Sequence, residues 1–279
     1  MTIRIVTDST CDLPPEIVSR LGVTVVPLYI NMGLESYLDG VELSREAFYE
    51  RLLDCDPPPT TSMPPPQSFI EAYERLADEG ATEILSLHIS ETLSAVIDAA
   101  RLAAREVALP VTLWDSGSLS LGTGFAAWTA ATAAAAGRTM DEIVALLQDQ
   151  RRRTHVFAAL DTLEFLRRSG RMNRVMAALG TWLQMKPLLQ MNDGTATATR
   201  IRTAEAATQK LLALLQERLP LERVALVHTH ALDRARALLD RARHLLPQGD
   251  ILSVDITPVL GAHLGPGAVG FACVSAREQ

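Results

Sequence analysis

The sequence predicts an α/β protein of two domains. An N-terminal doubly wound, mostly parallel sheet is expected over residues 1–153, and a C-terminal α/β domain with a mixed sheet over residues 154–279. Three observations predict it. Short β-branched runs alternate with helix-length runs through the first half, the order of βαβ units. After Arg153 the pattern changes, and Asn192-Asp193-Gly194 sits between two strand-like runs as a hairpin signal. The chain has 279 residues, 48% apolar and 21% charged, enough for two buried cores.

Taken in order, Arg4–Thr7 reads as a buried strand ending in Asp8, Ser9 and Thr10. Pro14 fits the first turn of a helix running to Gly22. Thr24–Ile30 is β-branched and apolar, a second strand. Ser44 can N-cap a helix through Leu53. Pro57–Ser68 follows, with six prolines flanking Thr60, Thr61 and Ser62. Proline fixes φ and removes a donor, so this stretch is neither helix nor central strand. It is expected to be a stiff loop presenting a row of hydroxyls, which can donate to an anion without carrying charge. A rigid connector is the plain alternative.

Phe69–Ala77 is then a helix stopped near Gly80, Ile84–Ile89 a third strand, Leu93–Val107 an Ala-rich helix and Val111–Trp114 a fourth strand. An almost uncharged helix ending at Gly137 has apolar residues all round and is expected to be buried. Thr139 and Glu142 form a capping box for the next helix, which ends in Arg151–Arg153. Beyond it come a strand at His155–Leu160, a short helix at Leu163–Arg168 and a helix at Val175–Gln184. The hairpin strands are Pro187–Met191 and Thr195–Ile201. Helices at Ala204–Arg218 and Ala231–Leu246 alternate with strands at Val224–Val227 and Ile251–Ile256, and a Gly-rich loop leads into a last strand, Val269–Val274.

Composition excludes several classes. A net charge of −7 argues against general nucleic-acid affinity. No apolar run is long enough to span a bilayer, and the N-terminus enters a strand directly, so no signal peptide is read and the cytoplasm is the default. Cys11, Cys55 and Cys273 are odd in number and far apart, indicating neither a disulfide framework nor a zinc site. There is no Gly-Lys pair, hence no P-loop, and no GxSxG or SxxK. Gly265–Gly270 matches GxGxxG, but it precedes a strand instead of following one and opening a helix. His228-Thr229-His230 ends a strand without an acidic ligand cluster beside it, and His88 reads as a satisfied core histidine.

Strand ends carry a more informative regularity. Asp8-Ser9-Thr10, Ser90 with Ser94, and Asp115-Ser116-Gly117-Ser118 are small and polar, and strand carboxyl ends line the crevice of a doubly wound sheet. A hydroxyl-rich crevice with no nucleophile–base pair suits binding better than catalysis. From the second half, His263 in Gly261–Gly265 and Arg202 at the end of the hairpin are the best charged candidates. For Arg202 taken alone, a solvated surface arginine is the favoured reading.

Five segments together carry a resemblance: Val6–Ser9, Thr60–Ser62, Leu87–Ser90 with Leu93-Ser94, Leu163–Leu166 before Gly170-Arg171, and Gly261–Gly267. In this order they resemble the DegV proteins, bacterial fatty-acid-binding proteins, over essentially the whole chain. The resemblance implies two α/β domains with a long-chain fatty acid between them and no cofactor besides that ligand. It implies a carboxylate held by Thr61, Ser62, Ser94 and His263, with Arg202 nearby. It further implies a carrier subunit without catalytic residues, presenting its lipid to a separate fatty-acid kinase whose acyl-phosphate product feeds phospholipid synthesis. Glu91 beside the third-strand serine, and Thr203–Ala206 where the family often has a basic run, depart from the family pattern.

Burying one methylene is worth ~0.8 kcal/mol, so a sixteen-carbon chain gains on the order of 10 kcal/mol before ordering costs. The candidate apolar walls are Phe125–Ala136 and Val175–Leu189. Arg167, Arg168, Arg171 and Arg174 around Gly170 read either as a solvated basic face or as a docking patch for the kinase. The competing functional readings are a stand-alone hydrolase or transferase on a small acyl or phosphorylated substrate, and a lipid-sensing regulator.

Overall fold

The computed structural model describes residues 2–172 and 186–277. It holds three sheets. The first is all parallel, in the order β2-β1-β6-β7, from β1 (Ile3–Asp8), β2 (Thr24–Val26), β6 (Glu83–His88) and β7 (Val111–Asp115). The second is mixed, in the order β10-β9-β8-β13-β11-β12. Its strands are β8 (Thr154–Ala159), β9 (Lys186–Asn192), β10 (Thr195–Ile201), β11 (Leu221–His228), β12 (Leu252–Asp255) and β13 (Val269–Ser275). Only β11 and β12 pair in parallel. The third sheet is small and antiparallel, with β3 (Tyr29–Met32) between β4 (Glu35–Leu38) and β5 (Thr60–Ser62). The expected parallel and mixed sheets are therefore both present.

The helices of the first half are α1 (Pro15–Leu21), α2 (Arg45–Leu52), α3 (Pro66–Asp78), α4 (Val96–Ala103), α5 (Leu121–Ala135) and α6 (Met140–Arg153). Those of the second half are α7 (Glu164–Arg168), α8 (Ala204–Gln216), α9 (Leu232–Ala242) and α10 (Pro258–Leu264). Local chemistry sets their ends. Ser44 accepts from Ala47 N at the start of α2, and Thr139 and Glu142 form the expected capping box on α6. The expected helix at Val175–Gln184 lies outside the described residues.

Helix α5 packs on β1 and β6 on one side and on β8, β11 and β13 on the other. Its small residues let both sheets approach closely. Leu121, Phe125, Ala127 and Ala130 are all buried.

Three expectations need correction. Thr24–Ile30 is not one strand, because Pro27 interrupts it and the Leu28 N–H goes to Ser9 Oγ at 3.1 Å. The two pieces join different sheets. The hydroxyl stretch is a strand, not a loop: β5 pairs with β3 through Thr61↔Ile30, on the sheet's edge, where flanking prolines cost no ladder bond. Gly261–Leu264 is not a loop but the end of α10, which Pro258 opens at its first position. A Cβ at Gly261 would overlap the Tyr49 ring, so glycine is retained within a helix for close packing.

Candidate ligand-binding site

A cavity opens between the small sheet, the carboxyl ends of the parallel sheet, the mixed sheet and α10. Its atom-free space is about 1080 Å³, including the part continuous with solvent. Most of the lining is apolar. Leu28, Met63, Ile89, Leu93 and Leu119 come from the first half. Val156, Phe157, Leu189, Met191, Val227 and Ile256 come from the mixed sheet and its ends, Leu166 from α7, and Val259, Leu260 and Leu264 from α10.

The polar lining is compact by comparison. It comprises the hydroxyls of Thr10, Thr61, Ser62, Ser94 and Ser120, the Gln190 amide, His263 and Arg171. Thr61 Oγ1 and His263 Nε2 share a hydrogen bond of 2.9 Å across 202 residues of sequence. His263 Nδ1 is buried with no partner among the described residues. Burial, and then the Arg171 charge, push the imidazole down to about 3, so the ring is neutral at physiological pH. Arg171 donates to the Ser169 carbonyl at 2.7 Å, next to Gly170 at φ +70.

Buried networks fix this lining. Asp8 accepts from the N–H groups of Thr10 at 3.0 Å and Ile89 at 3.2 Å, pinning the ends of β1 and β6. His88 Nδ1 lies 3.0 Å from Asp8 Oδ2, and its Nε2 lies 2.8 Å from Ser86 Oγ, which Tyr73 Oη also contacts at 2.8 Å. The Asp–His–Ser order resembles a catalytic triad, but none of the three lines the cavity and all are buried. It is a core strut, as the core-histidine reading of His88 expects. Ser120, at φ +51, donates to Asp12 Oδ2 at 2.6 Å, and Asp12 Oδ1 accepts the Thr257 N–H at 2.7 Å at the start of α10.

A largely apolar cavity whose described polar lining is neutral hydroxyls, an amide, a neutral histidine and the Arg171 guanidinium suits an amphiphile with an anionic head. Known proteins carry the same fold. The family model described as "Uncharacterised protein, DegV family" matches residues 2–276. A DegV domain-containing protein of Streptomyces coelicolor is 40% identical, with 99% of both chains covered. The chain belongs to the DegV family. A fatty-acid-binding DegV family protein from Thermus thermophilus superposes with a TM-score of 0.89 at 35% identity, covering 99% of this chain and 100% of that one. DegV from Bacillus subtilis, a fatty-acid-binding protein, gives 0.90 at 28% identity over 98% and 99%.

In this DegV chain, four residues singled out from the sequence, Thr61, Ser62, Ser94 and His263, line one cavity. Arg202 is not among them. It is exposed just beyond β10, an edge strand of the mixed sheet. Among the described residues the cavity's cation is Arg171, one of the basic cluster around Gly170 that the sequence reads either as a solvated face or as a docking patch. Its position directly after the Gly170 turn was the available signal. Arg174 lies outside the described residues. Glu91 is exposed and does not line the cavity, so this departure from the family pattern puts no negative charge into the site. Helix α5 is core and contributes no wall, because both its sides are covered by sheets. Of the second expected wall, Leu189 lines the cavity, while residues 173–185 are outside the described set. Two strand-end hydroxyls turn to neighbouring threonines instead of the cavity: Ser116 Oγ pairs with Thr123 Oγ1 at 2.9 Å and Ser90 Oγ with Thr92 Oγ1 at 2.9 Å.

Proposed function

We propose that this protein binds a long-chain fatty acid in the cavity and presents its carboxylate to a separate fatty-acid kinase. The observation that carries the reading is the Thr61–His263 pair on the wall of a largely apolar cavity. The acyl chain lies along the Leu, Val, Ile and Met walls. Ser62 and Ser94 donate hydroxyls, the Thr61–His263 pair has one donor hydrogen left after its mutual bond, and Arg171 supplies positive charge. An ionised carboxylate needs two or three such donors to leave water.

The similar proteins from Thermus thermophilus and Bacillus subtilis support the fatty-acid part of this reading. The chain then acts as a cytoplasmic carrier subunit, with no catalysis of its own. Residues 1–153 and 154–279 are its two domains, and the ligand lies between them. The kinase step rests on the family resemblance and on the exposure of Ser62 at the head-group end.

Native mass spectrometry of the freshly purified protein, followed by lipid extraction, tests the binding step. One fatty acid per chain is expected. An empty protein that takes up neither palmitate nor oleate overturns the reading. Adding a bacterial fatty-acid kinase and ATP to the loaded protein tests the second step, with acyl phosphate as the expected product.

A further inference from the structure

A second cavity lies apart from the lipid site, where α5 and α6 meet β11 and the residues after β13. Its lining is cationic: Arg138, Arg153, Arg223 and Arg277 against one carboxylate, Glu222. Three of these arginines are already paired. Arg138 meets Glu142 at 2.9 Å, Arg153 meets Asp149 at 2.6 Å and Glu222 at 2.7 Å, and Arg277 meets Asp149 at 3.0 Å. Arg223 has no carboxylate within ion-pair distance among the described residues. Its guanidinium instead lies 4.8 Å from the centre of the Trp128 ring. Burial holds its pKa below the ordinary arginine value.

The independent observation is Gln150. This side chain on α6 is 3% exposed and lines the cavity. Neither its amide nitrogen nor its oxygen has a hydrogen-bond partner among the described residues, and the same holds for the Thr129 hydroxyl. Buried carboxamides are rarely left bare at both ends, because each unmade bond costs its full desolvation. A ligand that satisfies Gln150 must both accept and donate. One that also suits Arg223 must be anionic.

We propose that this cavity binds a phosphate-type oxyanion, free or as the terminal group of a phosphorylated small molecule. Arg223 and the Gln150 amide nitrogen donate to its oxygens, the Thr129 hydroxyl adds a third bond, and the Gln150 oxygen accepts from a P–OH. Sulfate is fully deprotonated at neutral pH and lacks that donor, so the site favours phosphate over sulfate. The bound anion bridges α6 and β11, elements on either side of Arg153.

The test is a titration of the full chain with inorganic phosphate, read by tryptophan fluorescence and thermal unfolding. A saturable fluorescence change and a rise in Tm are expected, with the fluorescence part lost in Trp128→Phe. Arg223→Gln and Gln150→Leu each weaken binding by about tenfold or more, the usual effect of losing a charge-assisted bond. Both variants retain palmitate uptake, since neither residue lines the lipid cavity. A parallel titration with phosphoserine separates the sources. Tighter binding than inorganic phosphate supports a phosphorylated molecule, and weaker binding supports the free ion. No saturable response, an equal response to sulfate, or unchanged affinity in both variants overturns the proposal.

Discussion

In the proposed complex His263 meets the carboxylate as a hydrogen-bonding group and not as a counter-ion, because burial and the Arg171 charge keep it neutral. His263→Ala therefore removes one bond to a carboxylate and is expected to weaken palmitate binding about tenfold, with the fold retained. A fluorescent fatty-acid displacement assay checks this, and unchanged affinity refutes the head-group assignment. Arg171 supplies the positive charge at the same end of the cavity. Arg171→Glu is expected to reduce lipid affinity more than His263→Ala, since it replaces attraction by repulsion. Arg167 and Arg168 are different. Both are exposed and bond to Glu164, at 2.6 Å each, so the patch they form is partly neutralised. The double variant Arg167→Glu, Arg168→Glu is expected to spare lipid binding and slow kinase turnover by weakening steering. Equal kinase rates would remove the docking patch from the account.

Two short elements place the head-group residues. Strand β5 brings Thr61 to the edge of the small sheet, and α10 brings His263 opposite it. What positions α10 is its contact with α2: Tyr49 Oη donates to the Ile256 carbonyl at 2.9 Å, and Gly261 lies flat against the Tyr49 ring. Gly261→Ala forces a methyl into that ring. It is expected to cost about 1–3 kcal/mol of stability through overpacking and to move His263 away from Thr61. Urea unfolding measures the first effect and lipid titration the second. Adding Tyr49→Phe, which removes the hydroxyl nearest the new methyl, restores part of both. At the far end of the mixed sheet, the hairpin tip between β9 and β10 is locked to the first half. Arg151 donates to Asp193 at 2.6 Å and to the Asp115 carbonyl at 2.8 Å, and the Gly194 N–H meets the Gly117 carbonyl at 2.8 Å. A side chain at Gly117, φ +58, would collide with Arg151.

Across the whole molecule, a polar seam ties the first half of the chain to α10. Thr257 donates through its N–H to Asp12 and through its hydroxyl to Asp39, at 2.7 and 2.5 Å, while Arg45 lies 3.5 Å from Asp12 and donates to the Asp255 carbonyl. Burial outweighs these partners and raises both carboxyls to about 6. An acid whose pKa is higher folded than unfolded favours the folded state when protonated. The contribution of Asp12 and Asp39 is thus complete below about 3.8 and is lost as pH rises through about 6. Asp12→Asn removes its own part of that dependence, and asparagine tolerates the local φ of +56. Unfolding free energy measured from pH 4 to 7 should fall less steeply in the variant than in the parent. Parallel curves would show that Asp12 stays ionised throughout.

The sequence by itself determined the alternation of strands and helices, the capping box on α6, the Asn-Asp-Gly hairpin, and the donor types available to a candidate site. Each follows from backbone preferences or donor chemistry carried by a few neighbouring residues. Thr61, Ser62, Ser94 and His263 stand in segments distinctive enough to be singled out, and they line one cavity. Tertiary structure alone decided which polar groups reach the cavity. Arg171 lines the cavity and Arg202 does not: one directly follows the Gly170 turn and the other lies just beyond an edge strand. Ser90 and Ser116 turn their hydroxyls to Thr92 and Thr123, and the apolar helix α5 is core because sheets cover it on both sides. Contacts such as Thr61 to His263 or Asp12 to Thr257 join residues more than two hundred positions apart. No local pattern encodes that distance; the packing of three sheets around α5 and α10 sets it.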